Sequence, residues 1–158
     1  MTSAELIVHL YAVADLLQSS PCGSRELDDV LKTAFERVAI FFRWLARSED
    51  ESAHLLLHSI DGENWSTEIS GAFHLLPSGS NFSLGRRDGV YWAWIQPNDR
   101  WEPSQYESRH DHPTGSGLVV AATAALALAS AAIRLRVSLI ASTAREILRK
   151  GPMAGNEM

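Results

Sequence analysis

The sequence has only one cysteine, Cys22, among its 158 residues. A single cysteine cannot form a disulfide within the chain, so no disulfide framework supports the fold. Domains without disulfides are typical of reducing compartments. The first residues contain no Lys or Arg ahead of an apolar run, which a secretory signal requires. We therefore predict a cytoplasmic protein.

Positive charge is also scarce, with 14 Lys and Arg against 19 Asp and Glu and a net charge of -5. Proteins that bind nucleic acid or anionic membranes carry basic surfaces, so this balance predicts no nucleic-acid partner. Ten glycines and six prolines are too few for a collagen-like or low-complexity chain. The 46% of hydrophobic residues suffices for one core. We predict a single domain over residues 1–150 and a flexible tail over 151–158.

The N-terminal part of the chain has the pattern of two helices. Residues 2–5, Thr-Ser-Ala-Glu, form a capping box, and apolar residues then recur every three or four positions up to Ser19. Pro21 and Gly23 interrupt the pattern. Ser24 is a suitable N-cap for a second amphipathic helix that we predict to end near Arg47.

The middle of the chain predicts an antiparallel meander of about four strands. The expected strands are residues 54–60, 65–76 with a bulge at Gly71, 82–86 and 90–95. Asp61-Gly62 and Asp88-Gly89 supply the positive φ that tight hairpin turns require.

Both faces of the last predicted strand are apolar. Val90, Trp92 and Trp94 share one face, whereas the residues between them share the other. At least one face therefore contacts something other than water.

Residues 96–117 form a loop of 22 residues, longer than the roughly 12–15 residues of an ordinary connection. Trp, Tyr and Arg side chains dominate the energetics of protein interfaces, and this polar loop contains several of them. We predict a partner-binding surface made of Trp101, Tyr106 and Arg109 from the loop with Trp92 and Trp94 from the strand.

The same loop contains the sequence His110-Asp111-His112. In an extended segment the two imidazoles would point to one side, where they could hold a metal ion. A metal site needs a third protein ligand, which the spacing does not supply, so an exposed polar loop is the alternative interpretation. We predict no cofactor.

Three residues, Gly115, Ser116 and Gly117, precede a long helical pattern. Free backbone N–H groups and the helix dipole at such a place can bind an anion. An ordinary N-cap at Ser116 explains the same residues.

From Leu118 to Arg149 the pattern is helical, with aliphatic residues at seven-residue steps. The stretch from Pro113 to Ile133 has no charge, so a membrane span is one interpretation. Its many alanines contribute little to membrane insertion, and we favour a helix buried on most sides.

Small residues at Ala121, Ala125 and Ala129 let another helix approach this one closely, and we expect the helix that begins at Ser24 there. The helix is longer than a sheet of four short strands requires. We therefore predict a possible homodimer through residues 118–149.

Together these patterns predict an α+β fold, with two N-terminal helices, an antiparallel meander and a long C-terminal helix packed on the sheet. The favoured function is an intracellular protein-binding domain, such as a dedicated inhibitor or immunity-type protein that covers a partner's functional site. The alternative is a small enzyme or ligand-binding domain with a pocket under the loop, where His110 and His112 would do metal-assisted or acid–base chemistry.

Overall fold

A computed structural model describes residues 2–43, 62–77, 80–96 and 115–150, with side chains described up to residue 143. In chain order the elements are α1 (Ser3–Ser19), α2 (Arg25–Phe41), α3 (Ile69–Phe73), β1 (Asn81–Arg87), β2 (Val90–Gln96), β3 (Val119–Ala121) and α4 (Ala124–Lys150). The strands form one antiparallel sheet in the order β1-β2-β3. The α+β class and the long C-terminal helix on the sheet are confirmed.

Both N-terminal helices begin at the predicted caps. The Thr2 hydroxyl accepts a hydrogen bond from the Glu5 amide at 3.1 Å, and the Glu5 carboxylate accepts one from the Thr2 amide at 2.9 Å. The Ser24 hydroxyl accepts from the Leu27 amide at 3.1 Å. Helix α2 ends at Phe41, and the predicted end at Arg47 lies outside the described residues.

The prediction of a strand over residues 65–76 is wrong. Residues 65–67 form a turn, and α3 follows at Ile69–Phe73. The buried Ser66 holds this turn against the start of α2, because its amide donates to Asp28 Oδ1 at 2.8 Å and its hydroxyl donates to the Ser24 carbonyl at 2.9 Å. These long-range bonds take the place of strand pairing. The predicted strand at residues 54–60 lies outside the described residues.

The second predicted hairpin is confirmed. Strands β1 and β2 pair in an unbroken register from Asn81 opposite Gln96 to Arg87 opposite Val90. Asp88 and Gly89 close the hairpin with φ values of 53° and 81°. Two successive positive φ angles define the type I′ turn, whose twist matches that of the strands.

The long helix begins later than its sequence pattern indicates. Residues Val119–Ala121 form β3, which pairs with β2 so that Val119 lies opposite Ala93. The N-cap of α4 is Thr123, whose hydroxyl accepts from the Leu126 amide at 3.1 Å. The free edge of β2 offers this segment backbone partners, and Val119 becomes fully buried there.

Helix α4 lies in the centre of the fold. Between Ala125 and Ile140 every side chain is buried except Arg134 and Ser138, which are half-buried. Its main neighbours are α1 and β2, so the expectation that α2 is the helix packed most closely on it is wrong, although the Phe35 side chain of α2 lies against Arg136. Ala14 of α1 and Ser130 of α4 are both small and buried, and the Ser130 hydroxyl donates to the Ala14 carbonyl at 3.1 Å.

Residues Ala124–Thr143 form a helix long and apolar enough to cross a membrane, with a mean hydropathy of 1.7. In this fold 78% of the apolar window is buried against the rest of the chain, as expected for a core helix. No side chain from 124 to 143 is exposed. A homodimer through this helix stays a prediction.

Candidate protein-binding face

The two faces of the sheet have different surroundings. On the inner face Ala93, Ile95, Val119 and Ala121 are buried under α1 and α4. On the opposite face of β2 and β3, here called the outer face, five apolar side chains lie together: Val90, Trp92, Trp94, Leu118 and Val120. The first three alternate along β2, and Val120 pairs with Trp92 across the sheet.

The outer face is largely open to solvent. Val90 and Trp94 are each 41% exposed, Val120 is 42% exposed and Leu118 is 63% exposed. Within the ranges 2–43, 62–77, 80–96 and 115–143, no helix or strand covers these side chains. Single exposed apolar residues are common, but a contiguous group that includes two tryptophans is a candidate interaction surface.

A groove of about 450 Å³ crosses this face. Its lining residues are Arg87, Asp88, Val90, Trp92, Leu118 and Val120. The floor is therefore apolar, and charge lies only at the end next to the hairpin turn.

Trp92 is held in place by a glycine on the neighbouring strand. Its indole lies directly over Gly85, so that a Cβ atom at this position would overlap the Cζ2 atom of Trp92. The ring is thereby flattened against β1 and half-buried. A tryptophan fixed in this way loses little entropy when a partner covers it.

The hairpin turn places charged groups beside the groove. Arg87 Nε lies 3.9 Å from Asp88 Oδ2, and both side chains are almost fully exposed, so this pair contributes little to stability. Arg86 lies on the other face, with its guanidinium carbon 5.6 Å from the centre of the Tyr91 ring. The part of the chain that the structure describes contains no group of three His, Cys, Asp or Glu residues arranged to bind a metal.

The structure confirms the predicted sharing of one face by Val90, Trp92 and Trp94. The other predicted partner-binding residues, Trp101, Tyr106 and Arg109, lie outside the described residues, as do His110 and His112.

Sequence reasoning missed Leu118 and Val120 because both were assigned to the long helix. The adjacent β-branched residues Val119 and Val120 were the available signal for a strand. The role of Gly85 under Trp92 was also missed.

The residues proposed to bind an anion have partners within the chain. The Ser116 amide donates to the Ile95 carbonyl at 2.8 Å, and the Ser116 hydroxyl accepts from the Ile95 amide at 2.9 Å and donates to the Gly117 carbonyl at 2.7 Å. Ser116 is not a helix N-cap, because α4 begins only at Ala124. Anion binding at Gly115, Ser116 and Gly117 stays a prediction, now without support from a helix dipole.

Comparison with protein family models, with characterised proteins and with solved structures finds no match.

Proposed function

We propose that this chain is an intracellular protein-binding domain that docks a partner protein on its outer face. The observation that carries the proposal is the row of Val90, Trp92, Trp94, Leu118 and Val120 on a sheet face that no described element covers. An inhibitor or immunity-type role, in which the domain covers a functional site of its partner, is the specific form of this proposal.

The chemistry of the outer face supports a protein as the occupant. The groove is shallow and apolar and ends in an exposed ion pair, whereas small-molecule sites enclose most of their ligand. Two tryptophans next to aliphatic residues form the type of anchor on which protein interfaces depend.

The negative net charge of the chain favours a partner protein of positive charge. A net charge of -5 attracts a basic protein and accelerates its encounter with this domain. We therefore propose a basic partner with an apolar patch. The expected association rate falls as salt increases, while the apolar contact keeps the complex together once it has formed.

Truncation of the exposed tryptophan is expected to weaken binding. Trp94→Ser should weaken the complex by about 10–100-fold, since a tryptophan anchor in an interface typically contributes ~2 kcal/mol or more. The measurement starts from a stoichiometric, salt-resistant complex captured with the wild-type chain, and titrates the isolated partner against each variant.

The matched control is Ile40→Ser on α2, because Ile40 is also an exposed apolar residue, at 67% exposure, but lies away from the sheet. Ile40→Ser should bind like wild type. Equal loss in both variants, unchanged binding by Trp94→Ser, or recovery of no stoichiometric partner would overturn the proposal. In the last case the enzyme alternative with His110 and His112 becomes the one to test, by activity and metal content.

A further inference from the structure

The two edge strands of the sheet, β3 and β1, differ in their hydrogen bonds to the rest of the described chain. At the β3 edge, Gln18 at the end of α1 donates from Nε2 to the Val120 carbonyl at 3.2 Å. At the β1 edge no described element forms backbone hydrogen bonds. Exposed edges of this kind pair readily with further strands, and proteins usually block them with proline, lysine or a bulge. Strand β1 contains no proline, lysine or bulge, and its two charged residues, Arg86 and Arg87, lie at its C-terminal end.

The geometry of the hairpin turn determines which backbone groups of β1 point away from β2. Arg87 and Val90 flank a two-residue turn, so they form a hydrogen-bonded pair, and such pairs recur at every second residue. The backbone N–H and C=O groups of Phe82, Leu84 and Arg86 therefore point away from β2, toward the edge. The outward N–H and C=O groups of these three alternate residues can pair with one more antiparallel strand.

Apolar side chains lie next to this edge. Phe82 is 44% exposed, and its ring stacks edge-to-face on Phe73 with 5.1 Å between the ring centres. Phe73 is itself 40% exposed and the neighbouring Ile69 is 38% exposed. The open backbone edge is thus bordered by an apolar patch that a pairing strand would help to cover.

We propose that β1 pairs antiparallel with β1 of a second copy of this chain, on a two-fold axis through Leu84, to form a continuous six-stranded sheet. In this register Leu84 lies opposite Leu84 of the other copy, and Phe82 lies opposite Arg86. All three outward residues form hydrogen-bonded pairs, and the two-fold axis makes the Phe82–Arg86 pair occur twice, once on each side of Leu84.

The distribution of charge on β1 suits antiparallel pairing with a second copy. Both basic residues of β1, Arg86 and Arg87, lie at its C-terminal end. Antiparallel pairing separates the basic ends of the two copies and places Arg86 beside the aromatic ring of Phe82, where a guanidinium is attracted to the ring face. A parallel arrangement would bring like charges together, which is unfavourable across strands. This pairing is independent of the proposed function, because it uses the strand edge and leaves the outer face open.

Cysteine cross-linking tests the register directly, in a Cys22→Ser background that removes the exposed native thiol. Residues opposite each other in a hydrogen-bonded pair have Cα atoms about 5.5 Å apart, within the range of a disulfide. Leu84→Cys should therefore form a covalent dimer under mild oxidation. Ser83→Cys is the matched control, since its own symmetry mate lies about 8 Å away on the diagonal. Cross-linking of both variants, or of neither, would overturn the register.

A second variant tests the interface without a cysteine. Arg86→Pro removes an edge-facing N–H and no bond of the β1–β2 ladder, a position where proline is tolerated. Sedimentation over about a hundredfold range of concentration should show a dimer for the wild-type chain and for Arg86→Thr, but a folded monomer for Arg86→Pro. A wild-type chain that stays monomeric throughout, or an unaltered dimer in Arg86→Pro, would contradict the proposal, and circular dichroism verifies that each variant folds.

Discussion

Replacement of Gly23 by alanine is expected to lower the free energy of unfolding by about 3–5 kcal/mol, among the largest effects of any single substitution in this chain. Gly23 connects α1 to α2, and its Cα lies against the backbone of Ser66. A Cβ atom there would overlap the Ser66 carbonyl and lie 2.7 Å from the Thr67 amide nitrogen. Because these are backbone atoms, no side-chain rotation can relieve the clash.

The contacts around Gly23 explain why a local shift would be costly. The Ser24 amide donates to the Ser66 hydroxyl at 3.0 Å, and that hydroxyl donates back to the Ser24 carbonyl at 2.9 Å. The Ser66 amide is bound to Asp28 at 2.8 Å. Separation of the two segments by even 1 Å would weaken all three bonds of the buried Ser66, two made by its hydroxyl and one by its amide, each of which contributes about 1 kcal/mol.

Urea denaturation followed by circular dichroism measures this effect, with Gly89→Ala as the control. Gly89 has a φ of 81° and no atom within 4 Å of its added Cβ, so alanine there meets only backbone strain of about 1–2 kcal/mol. The expected order of stability is wild type, then Gly89→Ala, then Gly23→Ala. If Gly23→Ala is as stable as Gly89→Ala, the close approach of the two segments is not a feature of the protein in solution.

The Ser24–Ser66 contact could not be predicted from the sequence, whereas the helix caps and the hairpin turn could. The caps at Thr2 and Ser24 and the turn at Asp88-Gly89 were predicted because each depends on residues within about four positions. The turn at Ser66 depends on Asp28, 38 residues away, and no local pattern reveals that pairing. Apolar residues from Trp65 onward therefore had the pattern of a strand, although tertiary contacts fold them into a turn and a short helix.

The outer face, too, could be predicted only in part, because some of its residues come together through contacts between segments distant in sequence. Alternation along β2 was sufficient to place Trp92 and Trp94 on one face. Leu118 and Val120 reach that face only because β3 pairs with β2, a contact between residues distant in sequence. The seven-residue period that assigned them to a helix continues correctly from Leu126 onward, so the pattern was real and only its start was misplaced.

The second large effect is expected at Arg136, in the opposite direction: Arg136→Met should raise the free energy of unfolding by about 1–3 kcal/mol. Arg136 is fully buried on α4. Its Nη2 donates to the Leu75 carbonyl at 3.1 Å, and its guanidinium carbon lies 5.0 Å from the centre of the Phe35 ring. Its Nε and Nη1 have no acceptor in the described part of the chain.

Arg136→Met is expected to stabilise the fold because burial of the guanidinium costs more free energy than its contacts return. Burial lowers the pKa of Arg136 to about 9, so the side chain is still charged at neutral pH and carries the full desolvation cost. That cost is several kcal/mol for an unpaired ion, whereas one hydrogen bond and one cation–π contact return about 2–4 kcal/mol. Methionine has a similar length, fills the space with an apolar chain and leaves only the Leu75 carbonyl without its donor.

Arg134→Met is the matched control, since it makes the same replacement two residues earlier on the same helix. Arg134 is partly exposed, with Nη2 2.7 Å from Asp15 Oδ1 and Nε 2.9 Å from Gln18 Oε1, and its loss should destabilise the fold by about 1 kcal/mol. Urea denaturation at neutral pH should therefore move the two midpoints in opposite directions. If both variants are destabilised, then Arg136 has a carboxylate or other anion as a partner in solution, and its burial is that of a paired ion.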